Sequence, residues 1–578
     1  MTSPFDLYKS PQAPHSPPNL CWNMYGPGLE NIGRDRQPEP CPIPVPGAEQ
    51  LLVRVDAVSL CLSDIKLVQQ GGRHPKLYNR DLAVEPTRLG HEVSLTVLQV
   101  GEKLRSSYKP GQRFALQPDI YHNGQSRAYG YTIPGGLIRY HLIGAEVLAG
   151  DGGNYLLPAG GEMGYAEVAL TEPWACVVAA YTQRRRLSPK TGGTMWLLGH
   201  PGDTVDYQFS SGANAPSLVV ATDVPARLLQ SVQNNLASNG RRLLIRNDLT
   251  PLEYRRLMDE IPEGFDDIIS LNMASAQAVT AATALLNRRG TFNLVSNTPL
   301  DGDPGIDLGR IHYDYIAFVG TPGPDIAAAY GELRNRCELR HGGTAVFVGA
   351  GGPMGQMHIQ RAIEMSNGPS TILATDIDPV RLQVLMDRFF HLATQHGVRL
   401  VLSNSNEEPL GDFVDRETAH HGADDCVVCV PSAGVMAAAS RVLNPDGMLV
   451  LFAGVPIGTF APLNLSKVYL HNTQFTGTSG STLADQSSIL HSTQAGDLSP
   501  ARSVAALGGM EAAHDGIRAL MEGRFPGKVV IFPQLSGLPL VGLPELKNVA
   551  PQVAACLSPD GTWTRQAEAN LIGAYWKP

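Results

Sequence analysis

Short, continuous apolar runs that end in glycine or aspartate recur through the middle of the chain. A run at 193–199 (GTMWLLG) is followed by a second at 219–223 (VVATD), and the same order returns at 343–349 (GTAVFVG) and 372–376 (ILATD). Runs of this kind are typical of strands that are buried on both faces of a parallel sheet and joined by crossover helices. The pattern predicts two doubly wound α/β modules.

The two modules read as an internal duplication, because matching segments keep one order along the chain. We name the predicted modules copy one (189–340) and copy two (341–500). Three further pairs of segments match: 227–228 (RL) with 381–382 (RL), 265–271 (FDDIISL) with 423–429 (ADDCVVC), and 318–323 (FVGTPG) with 475–480 (FTGTSG).

The region before the modules has a different pattern. Segments such as 50–56 (QLLVRVD) and 93–101 (VSLTVLQVG) alternate apolar and polar residues, and glycine and proline interrupt them. Period-two alternation broken by turn residues predicts a small, mostly antiparallel barrel. We assign this first domain to residues 1–188.

Composition narrows the possible partners. The chain has 578 residues, 43% of them hydrophobic and 17% charged, which is typical of a globular protein with several cores. A net charge of -9 argues against nucleic-acid binding, which needs clustered cations. No apolar run is long enough to span a membrane, and eight scattered cysteines favour the cytoplasm.

Copy two carries a glycine-rich turn after its first predicted strand. Glycines in such a turn let the backbone approach a pyrophosphate at a helix N-terminus, and an aspartate after the next strand can accept hydrogen bonds from ribose hydroxyls. The carboxylate of Asp376 would repel a 2′-phosphate, which favours NAD(H) over NADP(H). The predicted cofactor-binding residues are Gly349, Gly351, Gly352, Gly355, Asp376, Arg381 and Thr476.

The corresponding turn of copy one is degenerate. Val205 stands where copy two has Gly355, and Asp203 puts a carboxylate where a pyrophosphate would lie. We therefore interpret copy one as a module that does not bind a dinucleotide.

The first domain contains a candidate metal site. A catalytic zinc ion takes about three protein ligands from thiolate, imidazole and carboxylate groups and keeps one position open. Cys61, His91 and either Glu92 or Glu172 supply such a set. Each residue alone is weak evidence, and the hypothesis depends on their occurrence in one domain directly before a dinucleotide module.

Several motifs together resemble a known family. Cys61-x-Ser63-Asp64, then Gly90-His91-Glu92, then Glu172-Pro173 resemble the zinc-dependent medium-chain dehydrogenases on the polyol (sorbitol) dehydrogenase side. Segments 135–137, 165–176 and 525–531 are most similar to the sorbose 1-phosphate reductase group. The four-cysteine lobe that holds a structural zinc in many relatives is absent from the sequence.

The resemblance implies an α/β protein with a GroES-like β-barrel catalytic domain, to which residues 501–578 return after the two Rossmann-like modules. It implies one zinc ion per chain, with Asp64 holding His91 in its metal-binding tautomer and Ser63 relaying the substrate proton. Ser63, Asp64 and Glu92 are the predicted catalytic residues. We expect a polyol, sugar or sugar phosphate substrate, hydride transfer with NAD(H), and a homodimer or homotetramer.

Two alternatives stay open at this point. The chain could be a zinc-free reductase of the same superfamily, in which Cys61 and His91 are structural. It could also be a non-catalytic dinucleotide sensor or scaffold, for which the degenerate copy one is the main argument.

Overall fold

The computed structural model describes residues 3–14, 18–182, 185–213, 215–237 and 240–577. The chain forms two compact units. Unit 1 contains residues 1–179, 352–357 and 480–578, and unit 2 contains residues 180–351 and 358–479. Within the described residues, no helix combines the length and the apolar character needed to cross a bilayer.

The strands are β1 (Asn19–Cys21), β2 (Asn23–Met24), β3 (Glu39–Cys41), β4 (Leu51–Ser59), β5 (Thr87–Arg88), β6 (Glu92–Val100), β7 (Arg113–Leu116), β8 (Tyr121–His122), β9 (Gln125–Ser126), β10 (Tyr140–Ile143), β11 (Leu156–Pro158), β12 (Thr194–Leu198), β13 (Leu218–Thr222), β14 (Arg242–Ile245), β15 (Phe265–Leu271), β16 (Leu286–Val295), β17 (Gly305–Asp307), β18 (Ala317–Thr321), β19 (Thr344–Val348), β20 (Thr371–Asp376), β21 (Arg399–Asn404), β22 (Ala423–Val428), β23 (Leu443–Leu451), β24 (Phe460–Pro462), β25 (Gln474–Gly477), β26 (Val504–Gly509), β27 (Lys528–Phe532) and β28 (Val541–Gly542).

The α-helices are α1 (Pro4–Lys9), α2 (Leu62–Gln70), α3 (Ala145–Leu148), α4 (Tyr165–Ala179), α5 (Ala226–Ala237), α6 (Leu257–Glu260), α7 (Ala276–Thr283), α8 (Leu308–Tyr313), α9 (Pro353–Glu364), α10 (Pro379–Gln395), α11 (Leu410–Thr418), α12 (Ala433–Arg441), α13 (Ser466–Leu470), α14 (Leu483–Ala495), α15 (Ala513–Met521), α16 (Leu546–Val549), α17 (Pro551–Ala554) and α18 (Arg565–Tyr575).

Unit 1 is built on a sheet in the order β11-β7-β6-β4-β27-β26-β28, with β10 also paired to β4. Every pair in it is antiparallel except β26 with β27. The alternation seen in the sequence produces β4 and β6, the longest pair of this sheet. The mostly antiparallel first domain is confirmed, and strands β26–β28 from the end of the chain complete its sheet.

Unit 2 holds two parallel sheets of six strands. Their orders are β14-β13-β12-β15-β16-β18 and β21-β20-β19-β22-β23-β25, which are the same when the strands are counted within each copy. This is the doubly wound arrangement, with the first strand of each copy in the middle of its sheet. The prediction of two tandem Rossmann-like modules is confirmed. One hydrophobic core cluster runs through both of them.

The two copies differ in the segment that follows their first strand. In copy two, α9 follows the glycine-rich turn, whereas the described residues between β12 and β13 of copy one contain no α-helix. The described part of copy one therefore offers no helix N-terminus at the position where this fold binds a pyrophosphate.

Candidate active site

Cys61 lies where β4 gives way to α2. It is the residue that precedes the helix, and its backbone N–H donates to Asp64 Oδ2 at 2.9 Å. The preceding turn is fixed by Leu60, whose N–H donates to the carbonyl of Val529 at 3.0 Å. The thiol of Cys61 is thus held at the end of a buried strand while remaining partly exposed.

His91 and Glu92 enter the site at the start of β6. The preceding Gly90 has φ +90°, and a Cβ at this position would lie 2.6 Å from Val58 Cγ1, so only glycine fits. The Gly90 N–H donates to Asp64 Oδ1 at 3.2 Å. A single buried carboxylate therefore joins the two segments that carry the candidate ligands.

Three of the predicted ligands come together. The Cys61 thiol, a ring nitrogen of His91 and a carboxylate oxygen of Glu92 all lie within 4.8 Å of one another, the spacing of atoms that could bind one ion. Asp64 Oδ1 lies 3.2 Å from His91 Nδ1, which leaves Nε2 to face the centre. Burial would raise the pKa of Asp64, but His91 and the two backbone donors hold it below its ordinary value.

The Glu92 carboxylate is only half satisfied. Its Oε1 accepts from Lys528 Nζ at 2.6 Å, and both side chains are buried. Its Oε2 is buried and has no hydrogen-bond partner among the described residues. A buried carboxylate oxygen without a partner calls for a bound cation or water. The donor set and this free oxygen fit a zinc ion.

Glu172 lies nearby but outside this group of three. It is buried on α4, where Cys176 Sγ donates to its Oε1 at 3.7 Å. Burial raises the pKa of Glu172 to about 7, while His91 lowers it and Glu92 raises it. The pKa of the Glu172 carboxyl therefore depends on the charges of His91 and Glu92. Both glutamates remain candidates for the third position.

Ser63, the predicted proton relay, is also at the centre. Its Oγ lies 3.2 Å from His91 Nε2, the nitrogen that faces the candidate metal position. Ser63 belongs to the first turn of α2, two residues after Cys61. The predicted catalytic residues Ser63, Asp64 and Glu92 are therefore all within reach of His91.

A polar cluster beside His91 was not predicted from the sequence. The ring of Tyr131 lies 6.0 Å from the ring of His91 and 5.0 Å from that of His74. Lys76 Nζ is 4.8 Å from the Tyr131 ring and 2.5 Å from Asp119 Oδ1. The only sequence signal is that these residues occur in polar, proline-containing loops. We call Lys76, Asp119, Tyr131 and His74 the Tyr131 cluster.

The predicted cofactor residues of copy two are placed as a glycine turn requires. Gly349 has φ +77°, and the Gly351 N–H donates to Asp376 Oδ2 at 2.9 Å. A Cβ at Gly351 would lie 2.6 Å from Arg381 Cβ and 3.0 Å from Asp376 Oδ2. The turn, the aspartate at the end of β20 and the start of α10 are therefore in direct contact.

The other three predicted cofactor residues lie on either side of this group. The carbonyl of Gly352 accepts from Gln356 N–H at 3.0 Å, and Gly355 lies in the first turn of α9. Thr476 is inside β25, and its Oγ1 donates to the Leu449 carbonyl at 3.3 Å. Thr476 is thus a strand residue near the carboxyl end of the sheet.

The turn of copy one has become self-contained. Asp203 Oδ1 accepts from the Val205 N–H at 3.1 Å, and its Oδ2 accepts from Tyr207 Oη at 2.8 Å. Asp223, the equivalent of Asp376, has φ +50° and accepts from the Asp248 N–H at 3.1 Å. Both aspartates therefore accept hydrogen bonds from residues of copy one itself.

Comparison with known proteins gives the family. Residues 47–178 match the family described as the alcohol dehydrogenase GroES-like domain. The chain is 30% identical over 308 residues to L-sorbose 1-phosphate reductase of Klebsiella pneumoniae, covering 50% of this chain and 73% of that protein. It is 29% identical over 305 residues to mannitol-1-phosphate 5-dehydrogenase of Aliivibrio fischeri, covering 49% and 70%.

A solved structure shares the fold. The crystal structure of 2R,3R-butanediol dehydrogenase from Bacillus subtilis matches with a TM-score of 0.51 and 15% identity, covering 89% of this chain and 99% of that chain. Together with the GroES-like match and the identity to the reductase, this shows that the chain belongs to the zinc-dependent medium-chain dehydrogenases, on the polyol dehydrogenase side of that superfamily, and is an oxidoreductase.

Proposed function

We propose that the chain transfers a hydride between NAD(H) and an alcohol or carbonyl carbon of a polyol, sugar or sugar phosphate, with one zinc ion held by Cys61, His91 and a glutamate. The observation that carries the proposal is the convergence of the three candidate ligand atoms within 4.8 Å, beside a buried Glu92 oxygen that has no partner in the described structure. The names of the similar proteins support this class of substrate.

When bound, zinc acts as a Lewis acid that polarises the carbon–oxygen bond of the substrate. The side chains around it have separate tasks. Asp64 fixes the His91 ring through Nδ1, and Lys528 balances the charge of Glu92. Ser63 Oγ is placed to take the hydroxyl proton of the substrate and pass it on.

The Tyr131 cluster supports a hydroxylated substrate. Its Tyr131 ring lies 6.0 Å from the His91 ring, the Lys76 ammonium lies 4.8 Å from the Tyr131 ring, and the Asp119 carboxylate is paired with Lys76. Sugar hydroxyls both donate and accept hydrogen bonds, and such mixed groups can satisfy them. Lys76 is already paired with Asp119, so a phosphate on the substrate would have to compete with that carboxylate.

We further infer that NAD(H) is preferred over NADP(H), because the carboxylate of Asp376 at the glycine turn would repel a 2′-phosphate. A cytoplasmic setting agrees with all eight cysteines being free thiols. The homodimer or homotetramer expected from the resemblance stays a prediction.

The metal is tested by comparing two cysteine variants. We expect about one zinc ion per chain in the wild type by elemental analysis, and loss of both zinc and dehydrogenase activity in Cys61→Ser. Cys556→Ser is the matched control, because that thiol donates to the Gln552 carbonyl at 3.6 Å and accepts from the Asn570 amide at 3.1 Å, and it is not one of the candidate ligands. Glu92→Gln and Glu172→Gln then identify the third ligand as the one whose loss releases zinc.

The reaction is tested by a panel of sugar alcohols, ketoses and their phosphates, followed by NADH and NADPH absorbance. We expect turnover of at least one hydroxylated substrate and a preference for NADH. Full activity in zinc-free protein would instead support a zinc-free reductase, and cofactor binding without any turnover would support a sensor.

A further inference from the structure

The two copies of unit 2 contact each other through equivalent elements. Strand β17 of copy one pairs antiparallel with β24 of copy two. In the register that matches Phe318 with Phe475, Gly305 is the equivalent of Pro462, and these two residues pair directly with each other. An antiparallel ladder that pairs two equivalent residues with each other is the mark of a two-fold, isologous contact.

Hydrogen bonds beyond both ends of this ladder also join the two copies. The Leu463 N–H donates to the Pro304 carbonyl at 3.1 Å, and the Leu308 N–H donates to the Thr459 carbonyl at 3.0 Å. Each copy thus lends a donor and an acceptor to the other.

The helices that follow these strands also make equivalent contacts in the two copies. A Cβ at Gly320 of β18 would lie 2.5 Å from Tyr469 Cβ on α13, and a Cβ at Gly477 of β25 would lie 3.2 Å from His312 Cα on α8. Gly320 is the equivalent of Gly477, and His312 is the equivalent of Tyr469. Each copy therefore packs its helix on the last strand of the other.

Polar contacts connect copy one to the carboxyl ends of the strands of copy two. His312 Nδ1 donates to the carbonyl of Leu451, the last residue of β23, at 3.2 Å. Tyr315 Oη donates to the carbonyl of Ser479, just beyond β25, at 2.8 Å. Ligands of doubly wound sheets bind at the carboxyl ends of the strands.

A contact of the same kind runs in the opposite direction. Tyr469 Oη of copy two donates to the carbonyl of Thr298, beyond β16 of copy one, at 2.7 Å. Copy one is predicted to bind no dinucleotide. The bond from Tyr469 therefore holds the segment after β16 in place but should not affect cofactor binding.

We propose that copy one is a built-in partner subunit of copy two: it occupies the two-fold face of the cofactor module and positions the segments after β23 and β25 for dinucleotide binding. The inference rests on the proposed function, which places the cofactor on copy two. Tyr315 and His312 are positioning residues, because they contact backbone carbonyls rather than the cofactor. Degeneration of the copy-one turn is compatible with this role, since the contacts are made by β17, α8 and β18 of copy one and not by its turn.

The test compares two variants of the full, zinc-loaded chain. Tyr315→Phe and Tyr469→Phe each remove one hydroxyl that bonds to a carbonyl across the same two-fold contact. We expect Tyr315→Phe to raise the dissociation constant for NADH about threefold to tenfold, the usual effect of one neutral hydrogen bond. Tyr469→Phe should leave that constant within about twofold of the wild-type value.

The readouts are NADH fluorescence titration, the melting temperature and the KM for the best substrate. A purely structural role would lower the melting temperature of both variants and move NADH affinity equally. Equal NADH affinity in both variants, with normal binding by the wild type, overturns the inference and leaves the proposed function intact. Failure of the wild type to bind NADH overturns the proposed function and the inference with it.

Discussion

Copy one and copy two share the contacts that build a sheet and differ in those that would hold a dinucleotide. The N–H of Thr194 donates to Asp266 at 3.0 Å in copy one, and that of Thr344 donates to Asp424 at 2.8 Å in copy two. In the part of the chain that the structure describes, only copy two has a glycine turn that leads into a helix and contacts an aspartate. Structure can therefore be retained in a repeat after the residues for binding have changed.

The equivalence extends to unusual backbone. Tyr315 and Asn472, which match in the repeat register, have φ values of +55° and +56°. Non-glycine residues seldom adopt this conformation. Its presence in both copies indicates that the segment before the last strand has kept its geometry, and with it the two-fold contact.

The largest expected effect comes from the glycine turn. Gly351→Ala places a Cβ 2.6 Å from Arg381 Cβ, so the turn must shift away from the position that a pyrophosphate needs. We expect NADH affinity to fall by about 100-fold, roughly 3 kcal/mol. Pro201→Ala, at the equivalent position of copy one, should leave NADH affinity unchanged. Titration of both variants with NADH measures the two affinities. A similar loss of NADH affinity in both would mean that copy one contributes to binding.

The two-fold contact gives the second prediction. A Cβ at Gly320 meets Tyr469 Cβ at 2.5 Å and the Leu294 carbonyl at 2.7 Å, whereas a Cβ at Gly477 meets its nearest atoms at 3.2 Å. Gly320→Ala should therefore lower the free energy of unfolding by about 2 to 3 kcal/mol, and Gly477→Ala by about 1 kcal/mol. Denaturant unfolding of the two variants measures this difference, and the reverse order would argue against the packing described.

Much of this fold could be predicted because its signals are local. The apolar runs fix the strands of both modules, and the repeat itself predicts that their sheets have the same order. The absence of a helix from the described residues between β12 and β13 has a sequence cause too, since residues 201–213 contain one proline, two glycines and no helical apolar period. Cys61, His91 and Glu92 were found because their residue types match the ligand preferences of zinc.

The rest could not be predicted, because it depends on contacts between distant segments. Lys528 is paired with Glu92, yet it lies in a strand with no feature that marks it as a partner of the site. The Tyr131 cluster joins residues from three separate loops. The two-fold contact depends on short strands, β17 and β24, that carry no repeat signal strong enough to see in the sequence.

The smallest expected effect concerns acid stability and involves α9, which has no counterpart among the described residues of copy one. His358 on this helix is buried, and its Nδ1 lies 2.7 Å from Tyr181 Oη. Burial, together with a smaller contribution from the charge of Arg361, lowers the pKa of His358 from its ordinary value of 6.5 to about 3. The imidazole is therefore neutral in the folded state, whereas in the unfolded chain it takes up a proton near pH 6.5.

Protons then favour the unfolded chain, and stability should fall as the pH drops from about 6.5 toward 3. Between pH 6.5 and 5 the loss attributable to His358 is at most about 2 kcal/mol. His358→Gln cannot take up this proton, so its free energy of unfolding should depend less on pH over that interval, even if it is lower at pH 7. Urea unfolding at a series of pH values measures the slope, and equal slopes for both proteins would show that the imidazole does not stay neutral. Because the residues described between β12 and β13 of copy one form no α-helix, a confirmed slope would also assign this part of the acid sensitivity to copy two.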